Sequence, residues 1–573
     1  MRQAATPKEY RAIHLPRTSI SRALLLAGAC FASIIPFFQW GNPSGHDFEF
    51  HLNSWMEVLG QWRAGIIYPR WAAMAHWGYG EARFLFYPPA SWTLGAALGA
   101  ILPWKLVPGA YCWIALSLAA AAMYRFGREW LSPRDASFAA IFYALNPYHL
   151  LIIYWRSAYA ELLAASLLPL LVLCLLRIFS QESEAGIQPT LWLSLVSAAA
   201  WLTNVPAAVM IHYSAVGMAL VLAADGATGS VHERPFGAKH WRGLIRTGMA
   251  ILLGAGLASF YLIPAIYEQN WIDVSQVLSF GVRPQDNFLF TILADADHNR
   301  FNFLVSTLAL VESIVLFFAI VFSRRGRVAA IDRTRWLLLS SWGAGSAILM
   351  LPVSNVLWQH LPKLRFVQLP FRWLLCMNAA LALLITMATR RWTPRLLAFV
   401  FLLIALIAAG YRFQRPWWDR AADIREMADA MADGTGYEGT DEYVPAGADA
   451  YELNRDLPLI SNEAREPVTE KILEWKPTER HFTVHAADAG KLVVRLFSYP
   501  AWKVVVNGQP ARTGKTDITE LMVIPVAAGD NDVQIRFRST LDRVVGDFVS
   551  LISLLVLIVV WIMTRRRSRV GRI

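Results

Sequence analysis

Apolar runs of about 17–22 residues recur along the first 412 positions and return once near the end of the chain. Each is long enough to cross a hydrocarbon core roughly 30 Å thick. In chain order they predict spans at about 20–40, 109–125, 136–152, 160–178, 190–205, 206–224, 246–267, 302–322, 336–352, 371–389, 396–412 and 546–563, about twelve in all. The segment at 90–104, ASWTLGAALGAILPW, is apolar but runs only about 15 residues before Lys105. Charge decides its status. If it does not complete a span, the basic loops at 125–135, 225–245, 323–335 and 390–395 share one side with residues 1–20 and the tail RRRSRVGRI. That is the positive-inside pattern, and it places both termini in the cytoplasm. Residues 41–108 then form one large extracytoplasmic loop with juxtamembrane helices.

After Tyr411 the pattern changes. PWWDRAADIREMADAMADG reads as a short helix ended by Gly434. Further on the period becomes two, in HFTVHA, KLVVRLF, WKVVVNG, LMVIPVA and DVQIRFR, which predicts strands. Asn507–Gly508 is a hairpin signal, and AAGDND at 527–532 marks a second turn. The expected organisation is a helical membrane module over 1–411, an extracytoplasmic mainly-β domain over 412–545 and a C-terminal anchor with a basic tail over 546–573.

Composition agrees with a polytopic α-helical membrane protein: 56% of the 573 residues are hydrophobic, and the mean hydropathy is +0.38. The formal charge of +11 does not indicate a nucleic-acid partner, because the basic residues cluster in short loops between spans. Cys30, Cys112, Cys174 and Cys376 all fall inside apolar runs, without disulfide or zinc spacing. The stretch ending at Cys30 loosely resembles a lipoprotein cleavage site, but the apolar run continues to Phe38, so an uncleaved span is expected. GYGEARF is not a phosphate loop: no strand precedes it and no GK[ST] follows.

The candidate chemistry lies at 41–90, where His46, Asp47, Glu49 and His51 fall within six residues. On a helix Asp47 and His51 share a face, which Ser54 and Trp55 continue, while Glu49 points to roughly the opposite side. The alternative is an interfacial amphipathic helix with its tryptophans at headgroup depth and its charges solvated. Short loops expected on the same side add Arg156, Tyr159 and Glu161 in YWRSAYAE, several acidic groups with Arg283 and His298 at 268–300, and His360, Lys363, Arg365 and Arg372 at 359–373. Basic groups gathered beside Asp47 would suit an anionic lipid phosphate; singly, such side chains snorkel or are solvated.

HDFEFH, YPRW at 68–71 and GYG with FLFYPP at 78–89 resemble the GT-C class of polytopic glycosyltransferases. RSAYAELLA with LLPL, EYVP at 442–445 and YPAWKVVVNG at 499–508 are similar to bacterial membrane proteins of the 6-pyruvoyl-tetrahydropterin-synthase-related and YfhO-like group. No soluble pterin-synthase metal site accompanies that resemblance. It implies a GT-C-like module in a bacterial inner membrane and a sugar donor carried on polyprenyl phosphate. By position Asp47 matches the acidic residue of the first extracytoplasmic loop, with Glu49 second and His51 beside it as catalytic candidates. Candidate substrate-binding residues are His46, Trp55, Tyr68, Arg70, Arg83, Tyr87, Arg156, Glu161, Arg365 and Arg372. The acceptor (glycan, lipid or protein) is left unspecified. A divalent metal stays open, with His46, Asp47, Glu49 and His51 as the available ligands. Trp417-Trp418-Asp419 is followed by Arg-Ala and so departs from the WWDxG-like motif of metal-dependent oligosaccharyltransferases. The competing readings are a noncatalytic envelope-assembly protein with the same fold and a transporter of a lipid-linked solute. Against the transporter, the sequence suggests no broken-helix pair in matching halves and few charges at mid-span depth.

Overall fold

A computed structural model describes residues 17–180, 187–225, 238–325 and 333–570. The basic segments expected at 1–20, 225–245 and 323–335 and in the tail lie partly outside this range.

Among the described residues, eight helices are long and apolar enough to cross a membrane: Trp104–Gly127, Pro133–Arg156, Tyr159–Phe179, Val205–Asp225, Ala296–Arg324, Pro370–Ala388, Trp392–Phe413 and Leu541–Arg566. Two bent pairs bring the number to ten if each is one span: His240–Leu257 with Ser259–Trp271, at 76°, and Arg333–Leu349 with Pro352–His360, at 93°. By length and composition these helices do not by themselves establish the expected count of about twelve, and the two bent pairs are each a broken span or a re-entrant loop. Pro352 opens the turn at the sharper bend, where a ring in place of an N–H ends an α-helix. The first apolar run divides into Arg17–Ala32 and Ile35–Trp40, with Pro36 in the first turn of the second piece. The run near 190–205 forms a helix of 16 residues, Gln188–Thr203. The segment at 90–104 gives an 11-residue helix, Pro89–Gly99, which is too short to cross.

Burial sorts the helices. The most apolar stretch of Pro370–Ala388 is 94% buried, whereas those of Trp392–Phe413 and Leu541–Arg566 are 22% and 11% buried. The first is the axis of the bundle; the other two offer apolar faces to lipid.

The distal region is antiparallel β. Its strands are β3 (Ile460–Asn462), β4 (Glu470–Lys476), β5 (Glu479–Ala486), β6 (Gly490–Phe497), β7 (Trp502–Val506), β8 (Gln509–Pro510), β9 (Gly514–Lys515), β10 (Leu521–Val526) and β11 (Gly529–Phe537). They form a sheet ordered β3-β6-β10-β9 and another ordered β4-β5-β11-β7-β8. Phe482, Val494, Phe497, Ile524, Val533 and Ile535 pack in one core with Trp71 and Tyr79 of the first loop. At the predicted hairpin β7 pairs with β8, and Asn507 and Gly508 take φ of 51° and 78°, the left-handed pair of a tight two-residue turn.

Two short strands, β1 (Asn42–Pro43) and β2 (Trp418–Asp419), pair directly, Asn42 with Asp419 and Pro43 with Trp418. This ladder puts the start of the first loop and the start of the distal segment on the same side of the bundle.

Candidate active site

The site is built on the helix Phe48–Arg63. It is buried on nearly every face: Phe48, His51, Leu52, Trp55, Glu57, Val58 and Leu59 are all inside. The alternative of an interfacial helix with solvated charges is thereby corrected, since bundle helices on one side and the distal segment on the other cover it. Its N-terminus is set by a close approach. A Cβ on Gly45 would run into the backbone of Trp155 and Arg156, so glycine lets the chain lie against that turn. Gly45 N–H donates to the Ser157 hydroxyl at 3.0 Å, and Asp47 N–H donates to the Arg156 carbonyl at 2.9 Å.

Asp47 occupies the N-cap, yet its carboxylate makes no capping hydrogen bond. The helix is anchored through the backbone, and the half-buried carboxylate is left unengaged. His51, one turn on, is 1% exposed. Burial pulls its pKa down to about 4, with Asp47 opposing and Arg83 reinforcing the shift, so the imidazole is neutral at physiological pH. Its Nε2 lies 3.5 Å from the Tyr87 hydroxyl. The rings continue inward: Trp55 stacks on Tyr111 at 4.9 Å, and Tyr159 packs against His51 at 5.2 Å and Trp55 at 5.3 Å.

Beside Asp47 sits a knot of charge. Arg156 Nη1 donates to Glu161 Oε2 at 2.7 Å and to the Tyr148 hydroxyl at 3.1 Å. The Tyr148 hydroxyl donates to Glu161 Oε1 at 2.6 Å. Arg372 Nε lies 3.2 Å from the same Glu161 carboxylate. Two guanidinium groups thus share one carboxylate, leaving one positive charge in excess. Asp47 lies within electrostatic reach of both arginines. The five residues Ile152–Arg156 form a π-helical turn that ends at Ser157 with φ of 51°. Such turns are frequent at functional sites.

The other predicted residues fall elsewhere. Glu49 is exposed and turned toward Asp419 and Glu438; burial and those two carboxylates raise its pKa. His46 lies at the rim, its ring 4.8 Å from Phe301. The set His46, Asp47, Glu49 and His51 therefore does not converge on one point, and no group of three His, Cys, Asp or Glu able to hold a metal occurs among the described residues. Tyr68 and Arg70 pair with each other, the Arg70 guanidinium 5.1 Å from the Tyr68 ring centre. Arg70 feels Arg543, Asp547 and Glu268 rather than Asp47. Arg365 is exposed and lies over Phe366 at 5.2 Å. The candidate residues therefore do not all gather in one place. Asp47, His51, Arg156, Glu161, Arg372 and Tyr87 come together, and Arg70 and Arg365 stay apart.

Arg83 is sequestered. It is 1% exposed, pairs with the buried Glu81, and donates to the Ser54 hydroxyl at 2.9 Å and to Thr440 Oγ1 at 3.1 Å. Burial alone would raise the Glu81 pKa, but Arg83 and then His76 outweigh it and hold the carboxyl below its usual range. Glu57 accepts from the Tyr437 hydroxyl at 2.6 Å, from Gln61 Nε2 at 3.1 Å and from the Ala73 and Met74 amides. These two buried carboxylates tie residues 437–440 to the site helix. Tyr148, Tyr437 and Glu442 stood outside the sequence-derived set. No motif points to Tyr148 or Tyr437, and Glu442 opens the EYVP stretch.

No family model matches the chain, and no curated protein matches it. Solved structures similar to it include the arabinofuranosyltransferase AftD from Mycobacteria, at TM-score 0.40 and 15% identity over 70% of this chain and 27% of that one. ArnT from Cupriavidus metallidurans bound to undecaprenyl phosphate gives TM-score 0.39 and 12% identity over 69% of this chain and 64% of that one. The oligosaccharyltransferase AglB from Archaeoglobus fulgidus, in complex with an inhibitory peptide and a dolichol-phosphate, gives 0.40 and 13% over 74% and 57%. The chain spans about a quarter of AftD's length and just under two thirds of ArnT's. The chain has a mostly helical membrane-protein fold with a β-rich region before its final helix.

Proposed function

We propose that this chain is a GT-C-like membrane glycosyltransferase of the YfhO-like group, taking its sugar from a polyprenyl-phosphate donor, with Asp47 as general base. One observation carries the reading: an unengaged carboxylate beside two arginines that share a single carboxylate. The arginine pair offers N–H donors and one net positive charge to a phosphate. Asp47 offers a proton acceptor next to it. In the reaction an acceptor hydroxyl oxygen attacks the anomeric carbon, and the bond from that carbon to the phosphate oxygen breaks. The lipid phosphate departs with the bonding pair, its charge held by Arg156 and Arg372, and the acceptor proton passes to Asp47. Direct displacement inverts the anomeric centre. In this reading residues 41–108 and 412–545 lie outside the cytoplasm, with both termini inside, in a bacterial cytoplasmic membrane.

The test is reconstitution of the full chain in proteoliposomes with polyprenyl phosphates carrying radiolabelled pentoses or hexoses. Release of free polyprenyl phosphate with label moved to an added hydroxyl compound is the expected result. Donor movement across the bilayer without covalent change would replace the transferase with a transporter.

A further inference from the structure

The helical bundle encloses a carboxyl that the reaction above does not use. Glu312 lies near the middle of the helix Ala296–Arg324 and is 0% exposed. Asn378, on the axial helix Pro370–Ala388, is also fully buried, and its Nδ2 donates to Glu312 Oε2 at 2.7 Å. The same Nδ2 donates to the Leu374 carbonyl at 3.0 Å. Both amide N–H groups are thereby spent, and the Leu374 carbonyl, which only accepts, fixes which end of the amide is nitrogen. Two enclosed oxygens are left without a donor among the described residues, Glu312 Oε1 and Asn378 Oδ1. No charged side chain among the described residues lies within electrostatic reach of Glu312. On its own helix Asp297, His298, Arg300 and Arg324 sit near the ends, about 18 Å or more away along the axis. The main helices packed against it are Pro370–Ala388, Arg333–Leu349 and Trp392–Phe413. Their ionisable groups (Arg372, Arg333, Arg335, Arg395, Tyr411 and Arg412) also lie near helix ends, and the Cys376 thiol turns to the Ser214 hydroxyl at 3.7 Å.

We infer that Glu312 and Asn378 form a proton-binding site at mid-depth in the membrane domain, where one proton on the carboxyl locks the helix Ala296–Arg324 to the axis of the bundle. An ionised carboxylate here would be held by a single amide, enclosed from water and distant from every cation just named, which an apolar interior strongly disfavours. A proton removes that charge and makes Oε1 a donor. Acid and amide then join through two bonds, Nδ2–H to Oε2 and Oε1–H to Oδ1. One proton thus accounts for both oxygens that lack a donor. Losing it would set a negative charge against the Asn378 carbonyl oxygen and loosen the two helices. The helix so held is also a wall of the candidate site. Its Phe301 ring lies 4.8 Å from His46 and 5.9 Å from Phe371, and the Arg156 guanidinium lies 5.5 Å from the Phe371 ring centre. The proton site stands whether or not the chain transfers sugars.

The test is infrared spectroscopy of the full chain in lipid nanodiscs at about neutral pH, in light and heavy water. Wild type should show the C=O stretch of a protonated carboxyl, moved by deuteration, and Glu312→Gln should lose one component of it. Asn378→Leu should shift that component without removing it. Glu312→Gln keeps the neutral shape and both bonds to the amide, so it should fold with an unfolding midpoint close to that of wild type. Denaturant unfolding gives a second readout. A glutamate in the unfolded chain is ionised above about pH 5, so at neutral pH the folded chain holds one proton more than the unfolded chain, and wild-type stability falls as pH rises. Between about pH 6 and 7 the unfolding constant of wild type should rise about tenfold relative to that of Glu312→Gln. A carboxyl band identical in wild type and Glu312→Gln overturns the inference, as does a ratio of unfolding constants that stays flat. A component unmoved in Asn378→Leu would separate the proton from the amide and overturn the pair. A Glu312→Gln chain unable to fold overturns it too, because the neutral isostere of a protonated acid would then be rejected.

Discussion

The Asp47 amide donates to the Arg156 carbonyl at 2.9 Å, so the residue placed as base and the residue placed as phosphate clamp are joined through the main chain. Their side chains diverge from that shared bond. The guanidinium turns to Glu161 and Tyr148, and the carboxylate stays open. A substitution at either side chain therefore leaves the relative position of the two backbones intact, which makes the pair suitable for mutational dissection.

Asp47→Asn should lower sugar transfer by about 10²–10⁴-fold, the usual range for a lost general base. Binding of polyprenyl phosphate, measured with a fluorescent lipid, should be unchanged. If binding falls and turnover per bound donor does not, Asp47 is a structural residue.

The two arginines should separate. Arg156 is fully enclosed with Glu161 and Tyr148, so Arg156→Ala leaves a buried carboxylate short of its main partner and should destabilise the fold by about 3–5 kcal/mol. Arg372 is partly exposed, and Arg372→Ala should give a folded protein whose donor KM rises about tenfold or more. Thermal unfolding in detergent alongside donor titration distinguishes the two.

His51 gives a pH prediction outside the spans. Its folded pKa is depressed to about 4 from an ordinary 6.5, chiefly by burial, so between these values the unfolded state binds more protons than the folded one. Stability is thus fully present above about pH 6.5 and is lost as pH falls toward 4. The loss from this group is at most about 3 kcal/mol. Unfolding midpoints of wild type and His51→Gln, measured from pH 7.5 to 4, should converge at the acid end.

Tyr437→Phe removes the hydroxyl that serves the buried Glu57 and should cost about 1–3 kcal/mol. The same change should speed protease cleavage in 434–440 more than in β5 or β11. Equal acceleration everywhere would mean that the clamp acts on the whole molecule rather than on this segment.

Reporter fusions at Gly127 and Gly434 should report opposite compartments. The β1–β2 ladder fixes Gly434 on the side of residue 42, and the helix Trp104–Gly127 separates Gly127 from it. The same compartment for both would require one crossing more or fewer between them.

Much of this fold is legible because local rules dominate it. The distal strands alternate apolar and polar positions, and Asn507–Gly508 carries its own turn geometry. The spacing of Asp47, Glu49 and His51 sets their directions on a helix before any tertiary contact is known. Arg156 and Glu161 sit in one short stretch and meet. The rest depends on which distant segments meet. Arg83 looks like a phosphate ligand until Glu81, Ser54 and Thr440 close around it. Arg70 and Arg365 do not share a place with Asp47: Arg70 lies by Tyr68 within electrostatic reach of Arg543 and Asp547 of the final helix. Burial of the site helix on nearly every face is not legible, since Glu57 and Gln61 find partners at Trp71, Ala73, Met74 and Tyr437.

The two-residue ladder between Asn42–Pro43 and Trp418–Asp419 has a consequence for how the protein is made. The site helix is synthesised within the first seventy residues, but the segment that seals it emerges only after residue 418. Until nearly three quarters of the chain has left the ribosome, Glu57 and Arg83 lack their distal partners. A truncated or stalled product would carry Asp47 and both arginines yet no ordered enclosure around them. Completion of the chain is thereby the step at which Glu57 and Arg83 gain their distal hydrogen-bond partners, Tyr437 and Thr440.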